Sequence, residues 1–233
     1  MKLHKIADLY VGLEYSCELM KMRAPKYESS DKPKIIDIVI ASSEKSINNV
    51  QKMYPTLTYS ECEYLYMGAS FYNCLVEFGG FMLHSSAVAY KGNAYLFSAD
   101  CGTGKSTHTQ LWLEAFGEEA KILNDDKPAI RIMDDGVYAF GTPWSGKHNI
   151  NEDIKVPVKG ICFLHRSDKN EIKRVSSKEV VPEMMKQLQR PTDVARLDKL
   201  FESMEYVLDK IPVYRMGCNM DVEAAHVAYE AMK

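Results

Sequence analysis

Three groups of residues in this sequence carry types and spacings that could do chemistry. The first is A-D-C-G-T-G-K-S, residues 99–106, followed by Thr107. In the pattern G-x-x-x-x-G-K-[ST], successive main-chain N–H groups turn inward around phosphate oxygens. Small residues allow close approach, and the following helix turns its positive end to the anion. Ala99, Asp100, Cys101, Gly102, Thr103, Gly104, Lys105, Ser106 and Thr107 are therefore expected against a nucleotide's phosphates. Lys105 would reach the β- and γ-phosphates, and Ser106 would offer its hydroxyl to Mg2+. The pattern's first glycine is replaced by Ala99, which is acceptable if its φ is negative; a positive φ would strain it by roughly 1 kcal/mol or more.

The second group is Asn124-Asp125-Asp126, which ends an apolar run about twenty positions after Lys105. Mg2+ takes few protein oxygens and keeps waters and phosphates, so one carboxylate suffices to anchor it. The other is then free to accept a proton or orient a nucleophile. The third is His84, which matters to this chemistry if the strand it opens lays it beside Asp125. Outside these groups, the segment GTPWSGKHNINED (141–153) is too irregular for either periodicity and reads as a mobile functional loop. Its Thr142, Trp144, Ser145, Lys147, His148 and Asn149 supply donors, a cation and an aromatic plate. Trp144, Ser145 and Lys147 are candidate substrate residues, with Arg166, which ends the run ICFLHR and could neutralise phosphate charge. His108 and His226 read as surface or packing residues.

Elements must hold these groups together. SSAVAY and AYLFS are strands joined by the turn KGN, and KSTHTQLWLEAF is a helix that Gly117 ends. AKILN is a short strand, PAIRIM-DDG-VYAF a hairpin, and KGICFLHR a strand returning through SDKN into EIKRV. Helices are predicted over 60–78, with Ser60 and Glu63 as a capping box, over 178–190 and over 193–209, and finally over DVEAAHVAYEAMK with Asp221 as N-cap. IPVYRMGC is a last strand. Before residue 60, only KIIDIVIAS (34–42) has a strand's pattern. This order predicts an α/β fold, a mixed β-sheet containing the phosphate loop, with antiparallel hairpins and flanking helices.

With 233 residues, 46% hydrophobic and 26% charged, the chain has the composition of a globular protein. Its net charge of −3 includes no basic block that would favour nucleic acid or an anionic membrane. Asp8 and Glu14 interrupt what could have been a secretion signal, and no run is apolar enough to span a bilayer. A cytoplasmic setting is expected. The six cysteines include no C-x-x-C pair, which argues against zinc.

His84 opening a hairpin, then ADCGTGKS, then NDD, resembles the catalytic domain of the HPr kinase/phosphorylase family, with its phosphoenolpyruvate-carboxykinase-like fold. The C-terminal IPVYRMGCNMDVEAAHVAYEAM is similar to the ending of small HPr-kinase-like proteins. The resemblance covers roughly 80–233 and divides the chain into a kinase-like domain there and an N-terminal region, 1–79, on the substrate side or at an interface. It implies ATP or another nucleoside triphosphate, and Mg2+ held by Ser106 and Asp126. It also implies catalysis by Asp125 as proton acceptor, His84 tuning it, and Lys105. The family's E-x-R-G segment has no counterpart beyond Glu152 and Asp153 as stand-ins. Its phosphocarrier-recognition segment is missing, so the expected acceptor is a small-molecule or peptide hydroxyl. The family's hexamer leaves a homo-oligomer open. The reading is a kinase acting on an alcohol. A nucleotide-binding regulatory module without phosphoryl transfer is the alternative, and a carboxykinase is disfavoured by the short chain.

Overall fold

Alternation with a period of two marks the strand Ile38–Ala41 and the first half of the strand Lys155–Arg166, while the central strands Ser85–Tyr90 and Asn93–Ser98 are buried almost throughout. The computed structural model describes all residues, 1–233. Its elements run β1 (Lys2–Ile6), β2 (Leu9–Glu14), α1 (Glu18–Arg23), β3 (Ile38–Ala41), α2 (Glu44–Met53) and α3 (Tyr59–Leu75). They continue β4 (Gly80–Met82), β5 (Ser85–Tyr90), β6 (Asn93–Ser98), α4 (Lys105–Phe116), β7 (Ala120–Asp126), β8 (Ala129–Met133) and β9 (Gly136–Phe140). The chain closes with β10 (Lys155–Arg166), β11 (Glu171–Val175), α5 (Ser177–Gln187), α6 (Val194–Lys210), β12 (Val213–Cys218) and α7 (Glu223–Met232).

β1, β2 and β3 form a small sheet of their own. The other nine strands form one curled mixed sheet along β4-β8-β9-β10-β6-β5-β7, with β12 added to β10 and β11 to β12. β10, 12 residues long, joins its halves: Lys155–Pro157 pairs antiparallel with β9, and later residues pair parallel with β6 and β12. Adjacent side chains on a strand point to opposite faces. Leu96, Ile161 and Phe163 accordingly pack with Val180, Met184 and Leu200 of α5 and α6. Their neighbours Tyr95, Phe97 and Cys162 pack with Trp112 and Ala228 of α4 and α7. Strands covered on both faces read as nearly continuous apolar runs, as ICFL and AYLFS do. The fold is mixed α/β with flanking helices, and the expected hairpins are β5–β6 and β8–β9.

The N-terminal region departs most from its sequence-based description. β1 and β2 are joined by Ala7 and Asp8, both left-handed at φ 54° and 58°. That is the geometry of a tight hairpin turn, built without the usual Asn-Gly. The strand expected over 34–42 shortens to β3. The capping box of α3 is Thr58 with Glu61, not Ser60 with Glu63. Glu63 is instead fully buried and accepts from Ser16 N (2.8 Å), Ser16 Oγ (2.8 Å) and Ser42 Oγ (2.6 Å), which ties α3 to the small sheet. Asp221 contributes its main-chain carbonyl to the start of α7 and no side-chain cap. Val11, Ile40, Met67 and Phe71 share a core with Ala129, Phe140 and Trp144, so residues 1–79 and 80–233 are packed as one body.

Candidate functional site

Strand register brings the chemistry to one end of the sheet. β5 runs antiparallel to both β6 and β7, with Ser85 opposite Ser98 on one side and Asp126 on the other. The residue before Ser85 is His84, the residue after Ser98 opens the loop, and Asp126 ends β7. All three therefore emerge together. The parallel strands β6, β10 and β12 also finish here, at the carboxyl edge where open α/β sheets form ligand crevices.

Parity then separates the two aspartates. Asp125 lies opposite Ser86, whose hydroxyl meets Thr109 of α4 at 2.7 Å, so Asp125 faces α4. Ser106 in the first turn of α4 donates to Asp125 Oδ1 at 2.8 Å. Asp126 points the other way, and its Oδ1 lies 2.9 Å from His84 Nε2. The expected pairing is thereby reversed: His84 stands beside Asp126, not Asp125, and Ser106 beside Asp125, not Asp126. Consecutive strand residues cannot both face α4, which is the physical reason.

The Asp126 carboxyl is pushed up by burial. Its hydrogen bond with His84 and the ammonium of Lys127 outweigh that and hold it well below the usual carboxylate range. Its φ is +100°, a strained value for a side-chain-bearing residue, and such values cluster at functional positions. Behind His84, Nδ1 meets Gln187 Oε1 at 2.9 Å, and Gln187 Nε2 donates to Asp100 Oδ1 at 2.9 Å. The second bond orients the amide so that its oxygen faces His84. A continuous chain of hydrogen bonds thus links Asp100 of the loop to Asp126.

The loop has the form that binds anions. Gly102 and Gly104 take φ of 77° and 122°, which glycine adopts without steric cost. Ala99 has no positive φ, so replacing the pattern's first glycine introduces no backbone strain. The N–H groups of Gly102, Gly104, Lys105, Ser106 and Thr107 have no protein acceptor, and they sit at the positive end of α4. Lys105 folds over the loop, donating to Ala99 O at 2.9 Å. Burial lowers the pKa of this ammonium, opposed chiefly by Asp126. Cys101 and Thr107 are exposed, and Thr103 is half-buried.

Two cavities flank the loop. One, of about 650 Å³, is bounded by Ser106, Asp125, Asp126 and Lys147, and on its far side by Arg23 and Tyr64 from the N-terminal region. The other, of about 690 Å³, lies between Gly102–Gly104 and the ends of β10 and β12, where Arg166, Asp168 and Asn219 stand.

The substrate-side candidates divide between these surroundings. Ser145 and Lys147 border the first cavity. Arg166 borders the second and donates to Gly102 O at 2.6 Å, because β10 runs parallel to β6 and ends on the loop's outer side. It therefore stands away from the acid pair. Trp144 offers no plate to a ligand: it is 1% exposed and stacks on Phe71 at 4.9 Å. The 141–153 segment is clamped, not free. Gly146 N donates to Asp125 O (2.6 Å), Asp125 N to Ile150 O (3.0 Å), and Asn124 Nδ2 to Thr142 O (3.1 Å). Glu152 and Asp153 line neither cavity. His108 is buried, accepts from Trp112 Nε1 at 3.3 Å, and is pushed down to about 4 by burial. Gln187, Lys127, Tyr64 and Arg23 are further site residues: Lys127 simply follows Asp126 in the chain, while no spacing marks Gln187, Tyr64 and Arg23, which reach the site through tertiary packing.

No protein-family model matches the chain, and no curated protein matches it. Among solved structures, the chain is similar to the HPr(Ser) kinase/phosphatase from Coxiella burnetii at 8% identity, over 64% of this chain and 88% of that one, with a TM-score of 0.37. So distant a likeness says nothing of chemistry. No helix is long and apolar enough to cross a membrane.

Proposed function

We propose that the chain is a kinase transferring the γ-phosphoryl group of ATP, or another nucleoside triphosphate, to an alcohol hydroxyl. The observation that carries this reading is the convergence of two separately partnered carboxylates, Asp125 on Ser106 and Asp126 on His84, at the mouth of a loop with free amides. The loop amides and Lys105 take the phosphates, and the nucleoside extends toward Arg166 and Asn219. Ser106 Oγ and Asp125 Oδ1, hard oxygens 2.8 Å apart, suit Mg2+, and these two would hold it. When bound, the ion supplies positive charge to the phosphates.

The acceptor enters the cavity beneath Arg23 and Tyr64. Its oxygen attacks the γ-phosphorus, the bond from that phosphorus to the β–γ bridging oxygen breaks, and the hydroxyl proton passes to Asp126. A phosphomonoester and a nucleoside diphosphate leave. Its depressed pKa makes Asp126 a weak base, so its part is to orient the hydroxyl and take the proton late, which the loose transition state of phosphoryl transfer allows. His84, held by Gln187, positions that carboxylate. Lys105 and the amides stabilise the charge on the transferring group. This reading exchanges the roles that the sequence suggested for the two aspartates.

The test incubates the protein with γ-labelled ATP, Mg2+ and a fractionated metabolite extract. A labelled phosphomonoester is expected. Tight nucleotide binding without a labelled product from any fraction would overturn the reading in favour of a switch.

A further inference from the structure

We propose that the acceptor alcohol carries an anionic oxyacid group, a carboxylate or phosphate, and that Arg23 binds it. The proposal rests on the phosphotransfer reading above and names its substrate class. Arg23 ends α1 and is 7% exposed, at the wall of the 650 Å³ cavity. Its guanidinium has neutral partners throughout. Nη1 donates to Tyr64 Oη (2.6 Å) and Ser145 O (2.9 Å), Nη2 donates to Gly146 O (3.2 Å), and the Tyr64 ring centroid lies 4.9 Å from Cζ. No carboxylate pairs with it, its Nε–H is buried without an acceptor, and Nη2 gives only one of its two N–H groups to the protein. Buried charges in folded proteins are normally paired, because desolvating an ion without a counter-charge is costly. A cavity-lining guanidinium with a spare donor and no counter-ion is a place for an anion, which arginine binds through several parallel hydrogen bonds.

Position supports this reading over a purely structural brace. The 141–153 segment is already held by Asn124, by Tyr64 accepting from Ser145 N at 2.8 Å, and by Lys26 on Asn151 O. None of those ties needs a buried cation. Gly146 also sets the spacing. Its carbonyl receives Arg23, its N–H meets Asp125 O, and a Cβ on it would lie 3.2 Å from Asp125 Oδ2. One residue therefore separates the guanidinium from the acid pair, so a small molecule can reach both. Lys147, exposed on the same cavity and without a hydrogen-bond or ion-pair partner, adds a second positive charge at the mouth.

The experiment compares L-serine and glycerol 3-phosphate with L-serinamide and glycerol, which lack the carboxylate and the phosphate, as acceptors for labelled ATP, with wild type, Arg23→Met and Arg23→Lys. One charge-assisted contact predicts a KM about 10- to 150-fold higher in Arg23→Met, little change in kcat or nucleotide affinity, and partial recovery in Arg23→Lys. Preference for L-serine assigns a carboxylate, and preference for glycerol 3-phosphate a phosphate. Equal use of acceptors with and without the oxyacid group by wild type overturns the proposal even where a variant fails to fold, and leaves the transfer reading intact. Calorimetry of L-serine and glycerol 3-phosphate separates the opposite case: binding that Arg23→Met abolishes, with no label transferred to these or to any fraction of the extract, keeps the anion site and removes the kinase. Neither binding nor transfer removes both.

Discussion

Asp126→Asn removes the carboxylate that meets His84 without forcing the backbone, because asparagine tolerates the positive φ of this position better than most residues. Loss of a positioned proton acceptor lowers kcat by about 10²- to 10⁴-fold, or roughly 3–5 kcal/mol of barrier. Nucleotide affinity should hold or improve slightly, since Asp126 touches no loop residue and the change removes a negative charge near Lys105. Asp125→Asn should behave in the opposite way. It removes the carboxylate charge that, beside Ser106, would hold Mg2+; loss of one charge-assisted contact of about 1.5–3 kcal/mol predicts Mg-nucleotide binding about 10- to 150-fold weaker. The assay is a paired measurement of nucleotide Kd by calorimetry and of labelled product at saturating nucleotide, with melting curves confirming that both variants fold. If Asp125→Asn abolished turnover with Kd intact while Asp126→Asn remained active, the strand-parity argument would be wrong. The roles would then return to those suggested by the sequence.

Two further outcomes follow from buried polar groups. His108 is held neutral, with its pKa depressed to about 4 against about 6.5 when unfolded, so the unfolded chain binds the proton first as pH falls. Its contribution is complete above pH 6.5 and is lost toward pH 4, about 3 kcal/mol in all; urea midpoints over pH 7 to 4.5 should fall steeply in wild type and less in His108→Gln. Glu63→Gln keeps an oxygen for Ser16 N and Ser42 Oγ but turns an amide N–H toward the Ser16 hydroxyl, which must rotate to accept it, and it removes the charge from all three bonds. It should cost about 1–3 kcal/mol in urea unfolding, and an unchanged midpoint would mean that these contacts do not hold the small sheet to α3.

How much of this was legible depends on whether the information is local. The strands and helices of 80–233 follow from apolar runs, alternation and turn residues, and the loop follows from its glycines, lysine and serine. Which aspartate meets the loop does not. It is set by pairing with β5 and by a register shift between Ala87 and Val88, neither of which is written in the residues NDD. Trp144 looked like a ligand plate because its loop has no period. Yet the loop is irregular because its backbone bonds to the end of β7, and Trp144 fits inside because Gly68 leaves room: a Cβ there would come within 2.8 Å of its Cδ1.

The N-terminal region was least legible, and it walls the cavity opposite the acid pair. Its hairpin turn is Ala-Asp, its first helix has six residues, and Arg23 is one unmarked basic residue among many. A phosphate loop can announce itself because backbone geometry constrains the residues that form it. A specificity pocket need not, since any element that brings a cation to the right distance will serve. In this chain the loop and aspartates would supply the transfer chemistry common to many acceptors, while α1 and α3 would decide which alcohol receives the phosphate. Substitutions along α1 and α3 facing the cavity should therefore change acceptor preference before they change nucleotide use.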